Sequence, residues 1–149
     1  MKFTAHDYFT ASKQRTFDVD NFAVLNKSLI ASAYLSGVAV ECMLRGNILK
    51  YTKEFDEKHD LNGLLVKSKI LDNLTPGNRQ LLASYMNKLN RKWENNMRYH
   101  SVEHTKRMIA HELAGVNRKR VGSALINYYK EIIDTSKKIL DMGNKHGVA

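Results

Sequence analysis

Residues 30–49 read IASAYLSGVAVECMLRGNIL, which is the longest apolar run in the chain. The opposite side of this segment is also largely apolar and carries Cys42 beside Arg45. A helix that is apolar on most sides belongs in the middle of a protein, so we expect this segment to be the central helix. Six of its residues recur at steps of three and four and so share one helical stripe: Ile30, Tyr34, Gly37, Glu41, Leu44 and Ile48.

Glu41 is the one acidic residue within that apolar stripe. A buried carboxylate is costly unless it is paired or neutralised. A guanidinium group is the best partner for a buried carboxylate because it forms two parallel hydrogen bonds. We therefore expect Glu41 to pair with Arg98. Such a pair either orients Arg98 for function or is purely structural, and both interpretations stay open.

The composition favours a helical chain of one domain, residues 1–149. The 149 residues include one proline and eight glycines, too few turn-forming residues for an all-β fold of many short strands. The single cysteine, Cys42, cannot form an internal disulfide, and we interpret it as a small buried hydrophobe. Nothing in the chain indicates a cofactor.

The distribution of charge bears on location and partners. The N-terminus lacks the continuous apolar core of a signal peptide, and polar residues interrupt the 30–49 segment too often for an ordinary membrane span. We therefore predict a cytoplasmic protein without a membrane anchor. The net charge of +9 raises the odds of contact with nucleic acid or another polyanion, although a solvated basic surface is the alternative.

Capping residues and apolar periodicity predict further helices in the rest of the chain. We predict helices over residues 4–25 (with Phe9, Phe17, Phe22 and Leu25 as apolar anchors), from Asp60, from Thr75-Pro76, from Ser101 to Leu113, and from Arg118 to Met142. Gly143 is predicted to end the last helix before a mobile tail, residues 143–149. The fold class predicted is all-α, an antiparallel bundle of five to six helices.

Histidines cluster in the fifth predicted helix. His100, His104 and His111 lie within about 40° of one another on an unbroken helix, with Arg107 on the same side. The alternative is a solvated polar face. His100–His104 also matches the H-x-x-E-H pattern of some zinc proteases, but that chemistry needs a third ligand and those chains are much larger. We therefore predict no metal site.

Arg98 and His104 together carry the groups for RNA cleavage. Attack by a 2′-hydroxyl needs a group that moves protons and a cation that holds the phosphoryl oxygens, and histidine and arginine supply both without metal. On one continuous helix the two would be about 120° apart. The pair therefore works best when Arg98 precedes the helix and Ser101 caps it; otherwise Arg98 merely anchors a loop. Arg118–Arg120 is a further basic cluster, either a phosphate contact or a solvated helix end.

The chain resembles the HEPN superfamily in three places. Ala33–Arg45 is similar to the second helix of that family, with its A-x-E-x-x-L-K/R core. Lys58–Leu61, followed by Leu64-Leu65, resembles the family's HDL…L segment, and Arg98-Tyr99 stands where many members have an Arg-Tyr pair. The resemblance covers roughly residues 20–140.

The resemblance implies an antiparallel helical bundle, often a homodimer, with one of two functions. Some HEPN proteins are metal-independent endoribonucleases of toxin or phage-defence systems with an R-x4–6-H motif, which here would be Arg98 and His104. Others are non-catalytic RNA- or nucleotide-binding partners of minimal nucleotidyltransferases. The residue after the arginine is usually small and polar in the nucleases, whereas here it is Tyr99.

The sequence thus predicts a HEPN-like homodimer that binds RNA or a nucleotide. Whether it is an enzyme is left open; the activity predicted for a catalytic protein is metal-independent RNA cleavage. The predicted catalytic residues are Arg98, His104 and Glu41. The alternatives are an antitoxin-like partner of a nucleotidyltransferase without turnover, and a DNA-binding module whose recognition helix begins near Arg118. The predicted nucleic-acid-binding residues are Arg98, His100, Lys106, Arg107 and His111.

Overall fold

The protein is a bundle of helices. The computed structural model describes residues 3–24, 28–54, 57–112 and 118–146, and within these ranges it contains no strand, which confirms the predicted all-α class. Two 3₁₀ helices, Ile70–Asn73 and Asn95–Tyr99, lie between the α-helices. The α-helices in these ranges are α1 (Ala5–Val24), α2 (Leu29–Thr52), α3 (Leu61–Lys67), α4 (Pro76–Asn90), α5 (Val102–Glu112) and α6 (Arg118–His146).

Local side chains set where four of these helices begin. A capping oxygen satisfies a backbone N–H that has no partner within the first helical turn. The caps predicted at Asp60, Thr75 and Ser101 are confirmed, and Pro76 occupies the start of α4 as expected. In each cap a backbone N–H donates a hydrogen bond to the side-chain oxygen of the capping residue: Ala31 to Ser28, Asn62 to Asp60, Asn78 to Thr75 and His104 to Ser101.

The central position predicted for the 30–49 segment is confirmed, because α2 packs against α1, α3 and α6. Helices α1 and α2 run antiparallel. The Ser12 hydroxyl donates a 2.8 Å hydrogen bond to the Ala39 carbonyl, whereas Phe9, earlier in α1, lies against Gly46, later in α2. The core side chains of α2 that are almost completely inaccessible to solvent are Ala33, Ala39, Val40, Met43, Leu44 and Ile48.

After α4 ends, the chain packs against α2 through a contact between Trp93 and Gly37. A Cβ at Gly37 would lie only 2.1 Å from the indole Nε1 of Trp93, so only glycine leaves room for the ring. The same Nε1 donates a 3.0 Å hydrogen bond to the Tyr34 carbonyl. This anchor fixes the point from which the second 3₁₀ helix and α5 depart.

Two predictions about the terminal helices are wrong. Helix α6 continues through Gly143 to His146, so Gly143 does not end the helix. The mobility predicted for residues 143–149 stays a prediction, and residues 147–149 lie outside the described ranges. The physical reason is packing, because a Cβ at Gly143 would lie 1.9 Å from the sulfur of Met43. Glycine here permits close approach to α2.

In α1, Phe17 is 63% exposed and is not the apolar anchor that was predicted. Val19 is buried instead, and Phe9 is partly buried against α2. The helix runs without a break through positions 18–21. The predicted anchors Phe22 and Leu25 lie outside the described side chains.

Helix α2 is long and apolar enough to cross a membrane by length and composition. In the fold, 61% of its most apolar 18-residue window is buried against the rest of the chain. Core helices of soluble proteins and membrane spans both show such composition.

Candidate nucleic-acid interface

Arg98 and Tyr99 form an exposed pair on the second 3₁₀ helix. Met97 in the same turn is buried and anchors it, while Arg98 and Tyr99 point outward. Tyr99 is 76% exposed, and the Arg98 guanidinium carbon lies 4.8 Å from the centre of its ring. This cation–π contact presents a flat aromatic surface and a positive charge side by side.

His100 and His104 lie on either side of the Ser101 cap. Their ring centres are 4.6 Å apart and the rings are inclined at 42°. The side chain of His100 is largely buried, with 11% accessibility, and its Nε2 lies 3.7 Å from a Glu94 carboxylate oxygen, whereas His104 is exposed. The predicted arrangement, with Arg98 before the helix and His104 in its first turn, is therefore confirmed.

A cleft of about 650 Å³ lies between α5 and the start of α6. Lys106 and Arg107 line one wall; Lys106 is bonded to Glu103 at 2.9 Å, while Arg107 has no ion pair within the described ranges. Gly122 lines the opposite wall, and a Cβ there would meet nothing within 4 Å. His111 is exposed farther along α5 and does not line the cleft. Sequence reasoning missed Gly122, since a helical glycine gives no signal of what it faces.

The predicted pairing of Glu41 with Arg98 is wrong. Glu41 is buried, and its carboxylate accepts a 2.9 Å hydrogen bond from Nε of Arg45. Nδ1 of His59 lies 3.0 Å from both carboxylate oxygens. Arg45 also donates a 2.9 Å hydrogen bond to the carbonyl of Lys58. The partner was missed because Arg45 was assigned to the opposite side of α2, although residues four apart are neighbours on a helix.

The described residues contain no group of three His, Cys, Asp or Glu side chains that could hold a metal ion. In the H-x-x-E-H segment, the carboxylate of Glu103 pairs with Lys106. Cys42 is partly buried, and burial raises the pKa of its thiol to about 11. A thiol with that pKa is protonated at neutral pH and is therefore a poor nucleophile.

Sequence reasoning also missed a cleft of about 660 Å³ between α4 and α6. Lys88, near the end of α4, and Arg91 and Lys92, just after that end, supply three positive charges to its lining. Glu131 on α6 accepts hydrogen bonds from both lysines, which lower the pKa of its carboxyl group. The cleft could not be derived from the sequence because it requires α4 and α6 to be neighbours.

The side chains of Arg118 and Lys119 lie outside the described ones, whereas Arg120 is exposed. The basic cluster at the start of α6 therefore stays a prediction.

Comparison of the chain with models of protein families, with curated proteins and with solved structures found no match. The resemblance to HEPN proteins stays a prediction.

Proposed function

We propose that this protein binds single-stranded RNA where α5 begins, and that His104 supports metal-independent cleavage there. The observation that carries the proposal is the exposed pair of Tyr99, 76% accessible, and Arg98, 4.8 Å from its ring. Large aromatic side chains are costly to leave in water, so an exposed one beside a cation suits a ligand with a flat ring and a negative charge.

An unstacked base fits this surface. Proteins that bind single strands stack bases on aromatic side chains and guanidinium planes, and they hold the backbone with nearby cations. Arg107 and Lys106 on α5 supply further positive charge along the strand, beside a cleft with small apolar walls. The net charge of +9 favours a polyanionic ligand over a neutral one.

The cleavage step assigns one role to each polar group. His104 takes the proton of the 2′-hydroxyl, whose oxygen forms a bond to phosphorus while the bond from phosphorus to the 5′-oxygen breaks. His100, whose ring centre is 4.6 Å from that of His104, gives a proton to the leaving 5′-oxygen. Arg98 stabilises the charge on the phosphoryl oxygens. Glu41 has no part in this step.

The test incubates purified protein with labelled single-stranded RNA in EDTA. Wild-type protein is expected to leave 2′,3′-cyclic phosphate ends. The His104→Ala variant is expected to bind RNA without cleaving it. The matched control His6→Ala removes an exposed histidine on α1 and is expected to behave as wild type. Cleavage that survives His104→Ala, or that needs a metal, would overturn the catalytic role. Absence of RNA binding by wild-type protein would overturn the proposed function as a whole.

Binding without cleavage is a second candidate, and one observation favours it. No carboxylate within the described ranges orients His104, whose ring contact is with another histidine, whereas catalytic histidines usually have such a partner. In this case the protein acts as a binding module, and the same assay shows RNA bound but intact with wild-type protein.

A further inference from the structure

The face formed by α4 and α6 carries a concentration of positive charge away from α5. We call it the α4–α6 basic face; it is lined by two adjoining clefts of about 660 and 420 Å³ that share Lys88 and Glu131. Its five cations outnumber its two carboxylates, those of Glu131 and Asp134. The cations are Lys88, Arg91, Lys92, Lys130 and Lys138.

Glu131 neutralises only part of this charge. It is bonded to Lys88 and Lys92, and these contacts hold the two lysines at the boundary between the clefts. Arg91, Lys130 and Lys138 are exposed and have no ion pair within the described ranges. The cations outnumber the carboxylates on this face, and the excess positive charges repel one another, so an anion that covers the face relieves that repulsion.

Tyrosine rings hold two of the lysines in place. The ammonium nitrogen of Lys92 lies 5.3 Å from the ring centre of Tyr128, and that of Lys138 lies 5.5 Å from the ring centre of Tyr85. Tyr128 in turn donates a 2.7 Å hydrogen bond to the backbone carbonyl of Lys92. These contacts restrict the side-chain conformations of two of the lysines, which lowers the entropic cost of binding an anion.

We infer that the α4–α6 basic face is a second binding surface for the phosphate backbone of single-stranded RNA. The inference shares its ligand with the proposed function but none of its residues. From Asn127 to Lys138 the α6 side of the face is about 16 Å long at 1.5 Å per residue, a length that matches several successive phosphates rather than one anion.

The lining favours a phosphate backbone over an acidic protein segment. Side-chain amides and hydroxyls lie among the cations, and such groups commonly contact phosphate and sugar oxygens. Interfaces between proteins are instead depleted of lysine and have an apolar centre, which this lining lacks. The uncharged polar residues are Gln80, Ser84, Asn87, Asn127 and Thr135.

The test measures RNA affinity against salt concentration for three double variants of the full chain. Lys130→Gln with Lys138→Gln removes two charges from the α4–α6 basic face. Lys13→Gln with Lys53→Gln removes the same charge from exposed positions on α1 and just after α2, with no ion pair lost within the described ranges. Lys106→Gln with Arg107→Gln removes two charges from α5.

Each phosphate contact contributes about 0.7 to the slope of log affinity against log salt for a single strand. The α4–α6 variant is expected to reduce the magnitude of that slope by about 1.4, and the Lys13/Lys53 variant to leave it unchanged. An unchanged slope in the α4–α6 variant, or an equal reduction in the Lys13/Lys53 control, would overturn the inference. Tighter binding of polyglutamate than of RNA at equal salt would also overturn it, in favour of an acidic protein partner.

The α5 variant separates this inference from the proposed function. If the slope falls in the α4–α6 variant but not in the α5 variant, the second surface stands and the α5 site fails. If it falls only in the α5 variant, the inference fails and the proposed function stands. Circular dichroism on all three variants confirms that each protein measured is folded.

Discussion

The carboxylate of Glu41 accepts a 2.9 Å hydrogen bond from Nε of Arg45, one turn further along α2. Both side chains are almost completely removed from solvent, with 11% and 6% accessibility. His59 meets the same carboxylate from outside the helix. The acid within the apolar stripe is therefore neutralised mainly within its own helix, and it ties residues 57–60 to α2 rather than positioning Arg98.

Removing the Glu41 carboxylate should destabilise the fold. Glu41→Ala leaves the buried Arg45 guanidinium without its counter-charge, and we expect the free energy of unfolding to fall by about 3 kcal/mol. Urea denaturation at neutral pH measures it. The matched control is Glu103→Ala, which breaks the exposed pair with Lys106 and should cost at most about 0.5 kcal/mol.

The same variant tests the separation of Glu41 from the RNA site. Under conditions where Glu41→Ala remains folded, its RNA affinity should equal that of the wild type. A loss of affinity as large as that of Arg98→Gln would contradict this and would show that Glu41 acts on the site through contacts other than those described.

Two glycines should respond to alanine with opposite signs. A Cβ at Gly37 would clash with the Trp93 indole, which is buried and hydrogen-bonded to α2, so we expect Gly37→Ala to cost about 2 kcal/mol. Gly122→Ala, also helical but facing open space, should stabilise the protein by about 0.5 kcal/mol. Thermal and urea unfolding of both variants measure the pair. A stabilising Gly37→Ala would mean that Trp93 does not pack on α2.

Glu131 should contribute to the dependence of stability on pH. Hydrogen bonds from Lys88 and Lys92 lower its pKa in the folded state below the ordinary value of 4.5. The carboxylate of Glu131 therefore takes up a proton less readily in the folded state than in the unfolded state. Its contribution to the free energy of unfolding is complete above pH 4.5 and is lost as the pH falls through the lowered pKa.

Glu131→Gln removes that contribution. We expect the variant to be less stable than wild type by about 0.5 kcal/mol at pH 7, a value typical of partly exposed ion pairs, and the difference to shrink as the pH falls below 4. Urea denaturation at a series of pH values measures both proteins. A difference that stays constant down to pH 2 would show that the effect does not come from the ionised carboxylate.

Tyr99 should contribute to RNA affinity through its ring. Stacking of a base on an aromatic side chain is worth about 1–3 kcal/mol, so Tyr99→Ala should weaken binding by roughly 5- to 150-fold while Tyr99→Phe keeps most of the affinity. Fluorescence anisotropy with a labelled single-stranded RNA measures this. Phe17→Ala removes another exposed aromatic side chain, on α1, and should have no effect. Equal losses in Tyr99→Ala and Phe17→Ala would rule out a specific stacking site.

Interactions between near neighbours in the chain could be predicted, whereas those between distant segments could not. The caps at Asp60, Thr75 and Ser101 follow from the sequence because each joins a side chain to a backbone N–H two or three residues away. The ends of helices were harder to predict. Gly143 is a residue type that often ends a helix, yet it lies within α6, where it packs closely against Met43.

The sequence by itself determined that this protein is helical, that residues 30–49 form its central helix, and that Arg98 precedes the capped start of α5. These follow from periodicity and capping, which act over a few residues. Only the tertiary structure decided that His59, 18 residues from Glu41, completes its contacts, and that α4 and α6 together form a basic face. The physical reason is that these contacts depend on which helices pack together, and packing is set by the whole core rather than by any one segment.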